Sequence, residues 1–174
     1  MDRIATRVRC LTEWLLRELL AMKHTNGRAM VRIYGPATTT MRGGVVTMNF
    51  YDPDGHLLDY RRIEELAGAQ RISLRTGCFC NPGAGETAEH ITDDDIRLAI
   101  AESADMSLAK FLQFITHRGG KSAGAIRVSL GIVSNFADVE RFLAFARSMR
   151  DQMQLAIGET SFDITSCRII RDGS

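Results

Sequence analysis

The chain has 174 residues, 45% of them hydrophobic and 25% charged, with a formal net charge of +1. That length supports one sizeable core, and the near-neutral balance offers no polyelectrolyte face, so no nucleic-acid partner is expected. No apolar run is long enough to span a bilayer, and Met1-Asp2-Arg3-Ile4 opens with charge where a signal peptide would be apolar. One cytoplasmic domain over residues 1–174, with no membrane partner, is the expectation. Cys10, Cys78, Cys80 and Cys167 are scattered through a chain without secretory features, which argues against a disulfide framework.

From Ile4, the apolar residues Val8, Leu11, Leu15 and Leu19 recur at helical spacing among Arg7, Arg9, Glu13, Arg17 and Glu18. This predicts a long amphipathic helix ending near Asn26-Gly27. Val31 to Tyr34 predicts a strand stopped by Gly35-Pro36, and Val45 to Tyr51 a second strand stopped by Asp52-Pro53-Asp54-Gly55. Asp59 is placed to cap a short helix through Ile63, Leu66 and Ala67 that Gly68 would end, and extended residues Arg71 to Leu74 follow. Thr92 and Asp95 resemble a capping pair for a helix through Ile96, Leu98 and Ile100. Leu108, Phe111, Leu112 and Ile115 fit helical spacing, whereas Arg118 to Lys121 reads as an exposed loop.

Ile126, Val128 and Leu130 alternate with Arg127 and Ser129, the pattern of a half-buried strand with Arg127 on its open face. Asn135 is placed to cap a second long helix with the stripe Phe136, Val139, Phe142, Leu143, Ala146, Met149 and Met153. Weak alternation from Phe162 to Ile170 suggests a closing strand. Long helices with several short strands and no Gly-rich phosphate loop predict an α+β two-layer sandwich, a small, mostly antiparallel sheet with the helices packed on one face.

The stretch Arg75-Thr-Gly-Cys-Phe-Cys-Asn-Pro-Gly83 carries the chemistry, because it presents two thiols on a Gly/Pro-punctuated turn beside a fixed positive charge that favours thiolate. Metal binding is not expected: a structural zinc site needs four ligands, and Cys10, Cys167, His24, His56, His90 and His117 are isolated. A hydrolase pairing Cys80 with one of those histidines lacks a family signature. A sulfur-accepting thiolate, which becomes a persulfide and passes it on, needs exposure, freedom of movement and nearby positive charge.

Four segments in order carry a resemblance: Arg32 to Pro36, Arg42 to Phe50, Arg75 to Ala84, and Ile126 to Gly131 continuing through Asn135 to Val139. They resemble the C-terminal small domain of class V aminotransferase-fold enzymes, and within that group the cysteine desulfurases and molybdenum cofactor sulfurases. The wording Cys78-Phe-Cys-Asn-Pro-Gly83 is most similar to the sulfurase branch. The resemblance implies that Cys80 is the persulfide-forming cysteine, that Arg127 holds the substrate carboxylate, and that Arg75 is the arginine opening the loop. Cys78 would assist Cys80, resolve it as a disulfide or pack.

The resemblance also implies a pyridoxal phosphate cofactor, a large cofactor-binding domain or partner chain, a homodimer in the full-length form, and a sulfur acceptor. Lys23, Lys110 and Lys121 match no cofactor lysine of the family, so this chain alone offers no covalent attachment for pyridoxal phosphate. Two alternatives stay open: a stand-alone persulfide carrier, and a non-catalytic remnant.

Overall fold

The structure, a computed structural model, describes residues 1–78, 82–102, 111, 114, 124–153, 160–163 and 168–171. The chain divides into two compact units. The first joins Met1–Thr76 to Ile126–Ile157, and the second joins Gly77–Ala125 to Gly158–Ser174.

Helix α1, Asp2–Ala21, buries Thr12, Leu15, Leu16 and Leu19. Strand β1, Val31–Tyr34, runs antiparallel to β2, Val45–Phe50, with Ile33 opposite Met48 and Tyr34 opposite Thr47. The predicted bounds of β1 hold, and β2 stops one residue short of Tyr51, which forms an isolated bridge with Leu57. Helix α1 also stops earlier than the Asn26-Gly27 signal, because Lys23 bridges Ala29 and Thr25-Asn26-Gly27 becomes the turn between them.

Helix α2, Tyr60–Ala69, starts at Asp59, whose carboxylate accepts the Arg61 N–H. Gly68 does not end it. Arg71 N–H bonds to the Gly68 carbonyl and Ile72 N–H to the Ala67 carbonyl, the paired bonds of a Schellman ending. The left-handed residue is Arg71, at φ 59°, where a glycine is usual. Burial of Ile63 and Ala67 and the packing of Ile72 against the core fix the helix end from outside the helix.

Strand β3, Arg75–Cys78, is followed by helix α3, Pro82–Glu89, and α4, Asp93–Glu102. The stretch read as one long loop is therefore mostly regular structure, with Phe79, Cys80 and Asn81 outside the described residues. Pro82 stands at the first helical position, where its missing N–H costs nothing and its fixed φ suits the helix. Before α4, Thr92 N–H bonds to the Asp95 carboxylate and Asp95 N–H to the Thr92 hydroxyl, the expected capping box. Of the helix expected from Leu108 to Ile115, only Phe111 and Phe114 are described, and the Arg118 to Lys121 loop lies outside the described residues.

Strand β4, Gly124–Ser129, runs antiparallel to β2, pairing Met48 with Ile126, Thr47 with Arg127 and Val46 with Val128. The four strands form one sheet in the order β1-β2-β4-β3. Gly44 precedes β2 where a side chain would collide with the Leu130 carbonyl and Val8, so the missing Cβ lets Leu130 N–H bond to the Gly44 carbonyl at 2.7 Å.

Helix α5, Phe136–Ser148, begins with a full capping box between Asn135 and Asp138. Its inner stripe is Val139, Phe142, Leu143 and Ala146, continued by Met149, and it packs against α1. Phe136 is mostly exposed but stacks on Trp14 of α1 at 4.2 Å and 3°. Strands β5, Thr160–Asp163, and β6, Arg168–Arg171, pair antiparallel with each other as a separate two-stranded sheet. Where one closing strand was expected, there is a strand pair.

The core of the first unit gathers Leu15, Leu16 and Leu19 of α1, Val46, Met48 and Phe50 of β2, Ile63 of α2, Ile126 of β4 and the α5 stripe. Helices α1, α2 and α5 of this unit pack on one face of the sheet, in keeping with the α+β sandwich predicted from the sequence. Burying each such side chain contributes about 1.5–3 kcal/mol before the entropy of ordering it is charged against it.

A polar clamp ties the end of α1 to the segment after α5. The ring of His24, 1% exposed, accepts the Asp151 backbone N–H at Nδ1 over 3.0 Å, leaving Nε2–H to donate to the Tyr51 carbonyl at 2.9 Å. Thr25 donates its backbone N–H (2.9 Å) and its hydroxyl (2.5 Å) to the Asp151 carboxylate. The hydroxyl first, and then the N–H, hold the Asp151 carboxyl below its ordinary value of 3.8. A lowered folded-state pKa gives stability that is present above the ordinary value and lost as pH falls through the lowered one. The melting temperature of the native chain should therefore fall more steeply between about pH 5 and pH 2 than that of Thr25→Val. Parallel slopes in thermal melts across that range would remove the clamp's role.

Candidate functional site

Alternation along the strands decides which residues the sheet presents away from its helices. In β2 the core takes Val46 and Met48, leaving Thr47 outward, and in β4 it takes Ile126 and Val128, leaving Arg127 exposed. Ile33 packs on the core, so Tyr34 faces outward with Thr47. Ahead of β3, Ile72 and Leu74 pack on the core, and the half-buried Thr76 hydroxyl bonds to Glu64 of α2. The exposed Arg75 between Leu74 and Thr76 thus turns outward, on the strand next to Arg127.

The outward face of the first unit therefore presents two guanidinium groups, Arg75 and Arg127, on neighbouring strands. Neither makes an ion pair with a described residue. Some other arginines are paired, Arg61 with Asp59 at 2.6 Å, Arg62 with Glu65 at 2.6 Å and Arg147 with Glu140 at 2.7 Å, while Arg3, Arg7, Arg9, Arg71 and Arg141 also lack an ion pair with a described residue. What sets Arg75 and Arg127 apart is their shared sheet face. Two guanidinium groups on one face, without an ion pair among the described residues, suit an anion, and a carboxylate matches the planar fork bidentately.

Next to Arg127 across the β2–β4 pair is Thr47, and Tyr34 follows across the β1–β2 pair. Asn49, fully buried, donates its side-chain N–H to the Tyr34 hydroxyl at 3.1 Å, and the Arg32 guanidinium lies 5.5 Å from the Tyr34 ring centre. Thr47, Tyr34 and Asn49 escaped the reading of the sequence as site residues. The β2 alternation set against that of β4 could have placed Thr47 beside Arg127, but only once the strand register was known.

Of the cysteines, Cys78 is the last residue of β3, and Cys80 lies outside the described residues. Cys10 is an exposed free thiol on α1. Gly77, one residue before Cys78, has φ 140° and nothing within 4 Å of where a Cβ would stand. Glycine is thus required at this point by backbone conformation, with no crowding to explain it.

The histidines divide by role. His24 is structural, and His56 sits on a turn where buried Asp52 accepts the Asp54 and His56 N–H groups and lies 3.2 Å from the His56 ring. His90 follows α3 at φ 52°, and His117 lies outside the described residues. Among the described residues no three His, Cys, Asp or Glu side chains form a group able to hold a metal. No described helix is long and apolar enough to cross a membrane.

Two surface cavities lie elsewhere. One, about 460 Å³, runs between Asp2, Thr6 and Arg9 of α1 and Thr39, Arg42 and Gly43. Arg42, its pKa lowered by burial, donates there to the Pro36 carbonyl. The other, about 550 Å³, is lined by Leu20, Arg28, Val31 and Tyr51. Neither includes Arg75, Cys78 or Arg127.

The described residues do not fit pyridoxal phosphate. Lys23 is the one lysine among them, exposed in the turn after α1, while Lys110 and Lys121 lie outside the described residues.

No family model matches the chain. It is similar to the molybdenum cofactor sulfurase of Solanum lycopersicum, 38% identical over 138 residues that make up 79% of this chain and 16% of that protein. The molybdenum cofactor sulfurase of Drosophila ananassae is 34% identical over 151 residues, 85% of this chain and 19% of that protein. Molybdenum cofactor sulfurase 2 of Culex quinquefasciatus is 28% identical over 169 residues, 95% of this chain and 22% of that protein. The chain thus spans 16–22% of the length of these curated relatives.

Exposed Arg127 can be removed without disturbing the core. Arg127→Ala should leave the unfolding free energy from urea titration nearly unchanged, within about 0.5 kcal/mol. A loss of several kcal/mol would mean that the guanidinium holds the fold together and is not available to a ligand.

Proposed function

We propose that this chain, homologous over most of its length to the molybdenum cofactor sulfurases, is the substrate-holding and sulfur-accepting portion of a pyridoxal phosphate-dependent sulfurase-like protein. The observation that carries this reading is Arg127, an exposed guanidinium on the outward sheet face with no ion-pair partner among the described residues. It takes the α-carboxylate of an amino-acid substrate bidentately and cannot lose its charge near neutral pH. Arg75, on the neighbouring strand and the same face, adds positive potential at the start of the segment that leads to Cys78 and Cys80.

Cys80 is the sulfur acceptor. Its thiolate attacks the substrate sulfur, so a sulfur–sulfur bond forms as the carbon–sulfur bond breaks and the electron pair of the broken bond stays with carbon. In a larger protein of this kind, pyridoxal phosphate held outside this chain would supply the sink for that pair. The acidic partner of the pyridine nitrogen and the Schiff-base lysine belong to the rest of that protein, a large domain or a partner chain. The persulfide then passes by the same exchange to a sulfur acceptor. Cys78, two residues away, is the neighbouring thiol that can attack the inner sulfur of the persulfide, forming a Cys78–Cys80 disulfide and releasing the outer sulfur as hydrosulfide.

The sulfur-accepting role is tested by incubating the chain with a low-molecular-weight persulfide and mapping the added sulfur by mass spectrometry. Cys78 and Cys80 share one tryptic peptide, so variants assign the site. The added sulfur should persist in Cys78→Ser and disappear in Cys80→Ser. Its absence from the native chain, or its survival in Cys80→Ser, contradicts the assignment.

A further inference from the structure

We propose that Thr47 is a second anchor for the anion held by Arg127, its hydroxyl donating to the α-carboxylate of the amino-acid substrate. The inference deepens the proposed function and rests on it for the identity of the ligand.

Thr47 and Arg127 are direct cross-strand partners in the antiparallel β2–β4 pair. Directly opposed residues on one face hold their Cβ atoms about 4.5–5.5 Å apart, so the hydroxyl and the guanidinium serve one small anion. Both side chains face away from the core, since Val46, Met48, Ile126 and Val128 occupy it. Among the described residues neither the Thr47 hydroxyl nor Arg127 has a hydrogen-bond or ion-pair partner.

A carboxylate offers about four lone-pair sites, and a bidentate guanidinium uses two of them. A hydroxyl beside the fork fills a third. Threonine in mid-strand suits this position because β-branching restricts its χ1, so little rotamer freedom is lost on binding.

The row continues to Tyr34, opposite Thr47 on β1. The ring of Tyr34 is held by Asn49 at its hydroxyl and by Arg32 at its face, which limits the row on that side. The Tyr34 ring thus forms an aromatic wall beside Thr47. Asn49, buried and bonded to Tyr34, is the positioning residue of that wall.

The test follows the arginine Nε–H and Thr47 amide NMR signals of the nitrogen-labelled chain during titration with L-cysteine. In the native chain both signals should move along one saturable curve. Thr47→Val, which keeps shape and removes the hydroxyl, should weaken binding about tenfold, the loss expected for one hydrogen bond to a charged group. Thr47→Ser should bind within about twofold of the native chain, because it restores the donor. An unchanged dissociation constant in Thr47→Val, with binding still lost in Arg127→Ala, overturns the Thr47 inference and leaves the carboxylate reading standing. Undiminished binding in Arg127→Ala overturns the carboxylate reading itself.

Discussion

Leu15, Leu16 and Leu19 of α1 and Val139, Phe142, Leu143 and Ala146 of α5 close over Val46, Met48, Phe50 and Ile126 of the sheet. All of these side chains are at most 4% exposed. Because side chains alternate along a strand, filling the inner face with these residues sends Thr47 and Arg127 to the other. A register slip of one residue in β4 would carry Arg127 into the core, where an unpaired charge costs several kcal/mol. The apolar packing and the outward guanidinium are therefore one constraint seen from two sides. Leu74 and the Thr76–Glu64 hydrogen bond likewise orient the entry to β3 and with it Arg75.

The parts of the fold most legible in the sequence were those where local pattern and tertiary burial agree. Val31–Tyr34 and the alternation from Ile126 to Leu130 could be read directly, as could the caps at Asp59, Thr92 and Asn135, because each is a local signal that the core does not oppose. Glycine and proline misled where they have two meanings. Gly68 reads as a stop, yet the helix passes through it, because Ala67 is fully buried and Ile72 closes the Schellman ending with Arg71 in the left-handed position. Gly77 and Pro82 read as loop residues, but one is accommodated in a strand at φ 140° and the other opens a helix. Of the candidate site, Arg127 and Arg75 were legible as charges, Arg127 already on the open face of a strand. Their common face, and Thr47 beside Arg127, depend on strand order and register, which join residues some 50 to 80 positions apart.

The chain's homology to molybdenum cofactor sulfurases extends over 79–95% of its own length but 16–22% of theirs. The chain offers a carboxylate-matching face and a thiol-bearing segment, and its described residues do not fit pyridoxal phosphate. The guanidinium of Arg127 and the hydroxyl of Thr47 need only a rigid sheet to hold them side by side. Rigid strands place such groups more reproducibly than loops.

The central claim is that the outward face of the sheet recognises an amino acid through its carboxylate at Arg127. Calorimetric titration of the chain with L-cysteine and with cysteamine, which has the thiol and amine but no carboxylate, tests this most directly. The account predicts saturable binding of L-cysteine that is lost in Arg127→Ala, and no measurable binding of cysteamine. Equal binding of the two compounds, or L-cysteine binding undiminished in Arg127→Ala, would contradict it.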